Sequence, residues 1–379
     1  MGLLKRVNNQ HKNGRRGILP LLLGVLMLTV ATTGCEPIFE SLGDCEGGVR
    51  LRFVYEYHMM RNANAFPGYV DCVTVYVFDT AGNYVTQYTE TSDVLQDENY
   101  RMELSLDTGS YNLVAYGGLA CSNPRFNISP DWNDPTVTGG NQKDIKVSVP
   151  LDATGVSDKQ LHNLEERTGG LFYGVLPLTI TRDDVEKPGY REETVEMMND
   201  VNNIQVILQE LDDPYTLDIA DFDIRIIDDN FVLNSENKVV EIGEYNDFQP
   251  YYRPYATENR VMGYVDYVPS NGAHLEGDEE RPVQVACAEF STSRLITGHA
   301  SSARLVITQK STGEKIADLP LITYLLAIRG FGDSWIKSDQ EFLDRQNRWN
   351  LMLFLQHGVW YNVRIMVNSW VVRLNDADF

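Results

Sequence analysis

Carboxylates are the most numerous groups in this chain that could do chemistry: 54 Asp and Glu against 32 Lys and Arg, with six His and five Cys in 379 residues. Adjacent acidic pairs recur at Asp183-Asp184, Glu192-Glu193, Asp212-Asp213, Asp228-Asp229 and Glu279-Glu280. Two carboxylates held several ångströms apart across a cleft can cleave a glycosidic bond. With so many acidic residues, some pair meets that spacing by chance. Asp228-Asp229-Asn230 offers oxygen ligands of the kind calcium takes, but the triplet reads first as a solvated hairpin turn. His58, His162, His274, His299 and His357 lie in separate segments without ligand-like spacing. The chain has no HExxH, no GxSxG, no phosphate loop ending in Lys-Ser/Thr, and no dinucleotide fingerprint. The 20 Tyr and five Trp could stack on sugars, yet most fall at strand positions where core packing explains them. The expectation is a protein that is not an enzyme and needs no cofactor or metal.

The thiol of Cys35 stands apart because of what precedes it. Lys5, Arg6, Lys12, Arg15 and Arg16 lead into the apolar run Ile18–Val30, followed by Ala31-Thr32-Thr33-Gly34 and the cysteine. A basic start, a short apolar stretch and small residues at the junction make a secretory signal peptide. About 13 apolar residues are too few to span a bilayer comfortably. Gly immediately before Cys makes the leader resemble that of bacterial lipoproteins, although Thr32 stands where that family usually has Leu. The resemblance implies cleavage before Cys35 and acylation of its thiol and new amino terminus, so residues 1–34 are read as signal peptide and 35–48 as a lipidated tether.

Loss of the five leader cations takes the formal charge from −22 to about −27. A chain so acidic repels nucleic acid and anionic headgroups, which leaves acyl chains as the means of membrane attachment. With 43% hydrophobic and 10% aromatic residues, it has the material for packed cores. Beyond Cys35 remain Cys45, Cys72, Cys121 and Cys287, without a CxxC pair. In an exported protein they allow up to two disulfides in three pairings. At least one bridge is expected among Cys45, Cys72 and Cys121, while Cys287 equally suits a buried thiol.

The elements that would position these groups are strands. Val49, Leu51, Phe53, Tyr55 and Tyr57 alternate with polar residues, which is the period of a strand with one buried face. Val70–Phe78 is apolar on both faces and predicts a central strand; Asp79–Asn83 turns it into a hairpin with Tyr84–Tyr88. Tyr100–Leu106 alternates again, and Asp107-Thr-Gly-Ser-Tyr111 resembles the corresponding hairpin turn of transthyretin-like sandwiches. Glu193–Val201 and Asn203–Leu211 read as the closing strands of a first unit, with a boundary near Asp212–Tyr215. Phe222–Ile226, a turn into Phe231–Leu233, Val283–Phe290 and Ala303–Thr308 continue the pattern. Leu319–Arg329 fits helix or buried strand, and Trp349–Leu355 with Tyr361–Val367 predicts a hairpin about Gln356–Gly358. Many short strands with regular turns mean an all-β protein, divided here at 49–213 and 214–379.

Several stretches resemble a particular family. Cys35–Glu40, Cys45–Tyr57, Asn64–Pro67, Val70–Asp79, Gln96–Met102 and Tyr116–Cys121 are similar to the first half of Bacteroidales fimbrial anchor lipoproteins. Ala288–Leu295, Leu319–Leu325, Phe342–Gln346 and Trp370–Arg373 continue the likeness through the second half. The resemblance implies two tandem transthyretin-like β-sandwich domains behind a lipidated Cys35, at the outer membrane and surface-exposed at the base of a fimbria. It implies a fimbrial stalk subunit (fimbrillin) of the same system as partner, a hold on that fimbria and a limit on its length. Subunits of such fimbriae join by strand donation, and an anchor that ends the fibre would act as acceptor. The candidate accepting edges are the region around Asn203–Leu208 and the C-terminal hairpin ending at Phe379. The alternative is a surface lipoprotein that binds glycans for polysaccharide uptake.

Overall fold

The computed structural model describes residues 47–59, 63–119, 121, 126–148, 160–161, 170–212, 217–240, 246–248, 286–298, 303–329, 335–367 and 370–374. The leader, Cys35 and Cys45 lie outside these residues. Strands in the first half are β1 (Gly47–Val54), β2 (Val73–Asp79), β3 (Tyr84–Glu90), β4 (Met102–Leu104), β5 (Gly109–Gly117), β6 (Asn127–Ser129), β7 (Lys146–Ser148), β8 (Gln160–Leu161), β9 (Phe172–Ile180), β10 (Gly189–Glu196) and β11 (Met198–Asn199). They are followed by β12 (Asn202–Glu210), β13 (Phe222–Asp228), β14 (Val232–Asn234), β15 (Asn246–Phe248), β16 (Ala286–Thr292), β17 (Arg304–Gln309), β18 (Lys315–Pro320), β19 (Arg348–Gln356), β20 (Val359–Val367) and β21 (Trp370–Leu374). Helices among the described residues are few and short, and the chain is all-β as its periodicity predicts.

Two sheets, ordered β10-β1-β4 and β11-β9-β5-β2-β3, enclose the first core. The alternation of β1 sends Val49, Leu51 and Phe53 inward, where they meet Val73, Val75 and Val77 of β2. Each such side chain contributes about 1.5–3 kcal/mol by leaving water. The other face of β2 is buried too. Tyr76 and Phe78 pack on Trp132, Ile145 and Val147, making a third layer over the sheet. That second covering explains why β2 is apolar on both faces. The β2–β3 hairpin forms as its sequence predicts: Asp79 Oδ1 accepts the backbone N–H of Ala81 and Asn83, and Gly82 takes a φ of +82°.

The turn at Asp107–Tyr111 differs from expectation. β4 and β5 lie in different sheets, so this turn arches between layers instead of closing a hairpin. Tyr111 Oη donates to the Asp107 carbonyl at 3.1 Å, tying the arch to its own start.

The second core lies between sheets ordered β16-β12-β19-β20-β21 and β18-β17-β13-β15-β8. Here the structure corrects a larger expectation. β12 does not close the first unit. It runs antiparallel to β16 and parallel to β19, over eight residue pairs from Asn203–Arg348 to Glu210–Leu355. Its Ile204, Val206 and Leu208 share a core with Phe222, Ile224 and Ile226 of β13. The acidic and Pro-containing stretch near Asp212 therefore joins two strands of one core, and the chain passes between cores earlier, before Asn202. Alternation shows that β12 has an apolar face but not which sheet receives it.

The turn after β13 departs from expectation as well. Asp228, Asp229 and Asn230 are buried instead of solvated, and β14 leaves β13 to pair with β7 of the first half. The ambiguous 319–329 segment is divided: β18 ends at Pro320, and a helix occupies Leu321–Leu326 with Leu321 and Leu325 in the core. The final hairpin forms as predicted, with His357 and Gly358 at positive φ in its two-residue turn.

Candidate functional site

The role that the sequence resemblance implies would need a fixed end, a body that transmits tension and an edge that a neighbour can meet. The first described strand, β1, is seated between two others. It pairs parallel to β10 over eight positions, from Gly47–Gly189 to Val54–Glu196, and antiparallel to β4 at Val49, Arg50 and Leu51. Gly47 is required at the entry: a Cβ there would stand 2.2 Å from the Lys187 carbonyl oxygen. At the far end of β1, Met197 N–H donates to the Val54 carbonyl at 2.7 Å.

Cys72 and Cys121 form a disulfide that ties the start of β2 to the chain beyond β5. The Cys72 carbonyl accepts from Gly118 N–H at 3.1 Å. Gly118 has a φ of +93°, and a Cβ on it would meet the Gly170 carbonyl at 2.2 Å, so this corner depends on glycine. Of the candidate bridge residues, Cys72 and Cys121 are thus brought together. Cys287 sits half-buried on β16.

The two cores are joined by a strand pair and a buried polar network, neither foreseen from sequence. β14 pairs with β7, and Leu233 packs among the residues over β2. Tyr173 Oη on β9 donates to the Ser235 carbonyl at 2.8 Å. Asp200, fully buried just beyond β11, accepts from Asn237 Nδ2 at 2.8 Å. Arg294 donates to the Asn237 carbonyl and grips Asp344 through Nε and Nη2 at 2.8 and 2.7 Å. Burial pushes the Asp200 carboxyl up to about 7, with Arg294 and Asn237 opposing that rise. Burial likewise pushes Asp228 up to about 7. Polar residues spread from Tyr173 to Asp344 leave no local pattern by which this network could be recognised.

The groups first considered for chemistry have structural partners. Asp184 caps the short helix Arg182–Glu186 through Thr181 and is gripped by Arg191, which together hold its carboxyl well below the usual range. Asp183 pairs with Lys187, Glu192 with Arg101, and Glu193 with Arg191. Asp212 accepts from the backbone and ring of His357. His58 is buried against Tyr55 with Nε2 2.8 Å from the Ala63 carbonyl. Asp213, Glu279, Glu280, His162, His274 and His299 lie outside the described residues. Among the described residues no group of three or more His, Cys, Asp or Glu could hold a metal ion.

The two edges expected to accept a strand fare differently. Asn203–Leu208 falls within β12, hydrogen-bonded on both sides, which removes it as an acceptor. The C-terminal hairpin continues into β21, which pairs with β20 and stands at the edge of its five-stranded sheet among the described residues.

Stacked sheets with short helices, and paired acidic groups with structural partners, define a β-sandwich scaffold protein. Residues 42–376 match the model of the fimbrillin-A associated anchor proteins Mfa1 and Mfa2. The chain belongs to this family. Among solved structures, a candidate adhesin from Bacteroides thetaiotaomicron is 36% identical, covering 87% of this chain and 99% of its own at a TM-score of 0.69. A candidate polysaccharide-binding protein from the same species is 28% identical, covering 87% and 100% at a TM-score of 0.66. The fimbrial anchor protein Mfa2 from Porphyromonas gingivalis, 16% identical, shares the fold over 87% and 99% at a TM-score of 0.60. No curated protein matches the chain.

Proposed function

We propose that this protein is an outer-membrane lipoprotein that holds a fimbria on the cell through Cys35 and ends the fibre at its base. The observation that carries the reading is the family match over residues 42–376, taken with the position of Cys35 twelve residues before the start of the seated strand β1 at Gly47. A pull directed along β1 loads its hydrogen bonds to β10 and β4 together, not one after another. The strand pairing and buried network between the cores then pass tension to the second half. There the edge of β21 is the surface on which a stalk subunit adds a strand, through backbone hydrogen bonds that set register. Filling that edge with one subunit leaves the fibre an end, which accounts for a limit on length.

Crosslinking on intact cells tests this reading. A fimbrial stalk subunit crosslinked near β21 is the expected product, and deletion of the gene should release fimbriae into the medium or change their length. Cell-bound fimbriae of unchanged length in the deletion strain, with no stalk subunit crosslinked, would overturn it.

A further inference from the structure

A cleft of about 310 Å³ opens where the end of β1 meets the second half of the molecule, and anchoring makes no use of it. Its walls come from Glu56 and Tyr57 just past β1, Glu196 and Met197 at the end of β10, and Trp335 and Arg345 from the other side. We propose that this cleft binds a saccharide, seating one or two sugar rings against Arg345 and the two glutamates.

The guanidinium of Arg345 is the centre of the site. It lies 4.0 Å from the ring centroid of Tyr57 and 5.0 Å from that of Trp335. Its Nε donates to Glu341 at 2.8 Å within the helix Asp339–Arg345, which holds the group in place. The terminal nitrogens Nη1 and Nη2 have no acceptor among the described residues, although the side chain is only 16% exposed. A planar donor pair held against aromatic rings, and mostly withdrawn from water, is a recognition element awaiting acceptors. Glu56 and Glu196 line the same cleft, and their exposed side chains make no hydrogen bond or ion pair with described residues.

This mixture selects the ligand class. A small anion would meet Arg345 but also two carboxylates, and a cation would meet the carboxylates but also the guanidinium. A peptide strand would need backbone partners, yet the backbone here is committed: Val54 pairs with Glu196, and its carbonyl accepts from Met197. Hydroxyl groups accept from a guanidinium and donate to a carboxylate at once. With the guanidinium over both rings, the part-exposed edges of Tyr57 and Trp335 add apolar surface for the C–H side of a sugar. The volume is at the small end of ligand sites, which suits a mono- or disaccharide unit.

The test is titration of the full-length protein in detergent with glucose-, mannose-, galactose- and N-acetylglucosamine-based tetrasaccharides, by calorimetry and tryptophan fluorescence. Inorganic phosphate and an unstructured peptide serve as comparison ligands. At least one tetrasaccharide is expected to bind, with affinity falling tenfold or more in Trp335→Ala, Glu56→Gln and Glu196→Gln. Both glutamates are exposed and unpaired, so their variants keep the fold even if Trp335→Ala does not. Absence of binding by every tetrasaccharide, equal binding by both glutamate variants, or binding of only phosphate or peptide would overturn the proposal. Fimbria retention should be the same in Glu56→Gln as in the parent, which separates this site from the anchoring role.

Discussion

Arg294 and Asp344, fifty residues apart, form a two-pronged ion pair at 2.8 and 2.7 Å in which Asp344 is 4% exposed. The same arginine reaches the backbone of Asn237, whose side chain holds Asp200. One guanidinium therefore connects the loop after β16, the β14 turn and the helix before β19, and through Asn237 it reaches the first half of the chain.

Removing one partner of this pair leaves a buried charge without compensation. Arg294→Ala and Asp344→Ala are each expected to cost about 3–5 kcal/mol, measured by urea unfolding at neutral pH. The double variant Arg294→Met/Asp344→Leu should be less damaging than either single truncation, because it strands no charge. Additive losses in the double-variant cycle would contradict a coupled pair.

Asp200 makes stability depend on pH. Its folded carboxyl is raised to about 7 by burial, above the value near 4 of an unfolded Asp. Below pH 4 both states are protonated and the site carries no penalty. As pH rises towards 7 the unfolded state ionises while the folded state does not, so stability is lost over that window and levels off above it. Asp200→Asn should equal the parent at pH 4 and exceed it by on the order of 3 kcal/mol at pH 7.5. Parallel stability curves across that range would count against a raised carboxyl. Asp228 contributes with the same sign, so the single variant should remove only part of the slope.

The Cys72–Cys121 bridge spans 49 positions. Closing a loop of that length disfavours the unfolded chain by about 4 kcal/mol in the chain-entropy account. Cys72→Ala/Cys121→Ala should unfold at markedly lower urea concentration, and reduction of the parent protein should reproduce the shift. A denaturation midpoint unchanged by reduction would show that the bridge adds no stability.

Cys35→Ala tests the membrane attachment directly. Fractionated cells should show the variant released from the membrane, and metabolic labelling with palmitate should mark the parent alone. Membrane retention of the unlabelled variant would remove acylation as the attachment.

Proline placed in turn at Val371, Val372 and Arg373 tests the edge of β21. Successive N–H groups on a strand point to opposite sides, so some positions interrupt pairing with β20 while others alter only the outer edge. A position that abolishes capture of a stalk subunit without shifting the unfolding midpoint identifies an edge contact. Capture unaffected at every position would exclude β21.

Period-two alternation foretold β1, a continuous apolar run foretold β2, and turns carrying Gly82 and Gly358 at positive φ foretold the β2–β3 and β19–β20 hairpins, because each is specified by neighbours in sequence. Val70–Phe78 even announced that both its faces would be covered. The basic leader and Cys35 likewise gave the expectation of export and lipidation without any fold. What remained hidden was partnership. The apolar face of β12 suits either core, and only packing placed Ile204, Val206 and Leu208 beside Phe222 and parallel to β19. Asp228–Asn230 has the composition of a solvated turn, yet β14 crosses to β7 and draws it inside. Tyr57, Glu196 and Arg345 are unremarkable in sequence and meet only because two cores close on one another. A strand's own residues determine which of its faces is apolar. Its partner is chosen by the free energy of the whole assembled core, to which residues more than a hundred positions away contribute as much as neighbours.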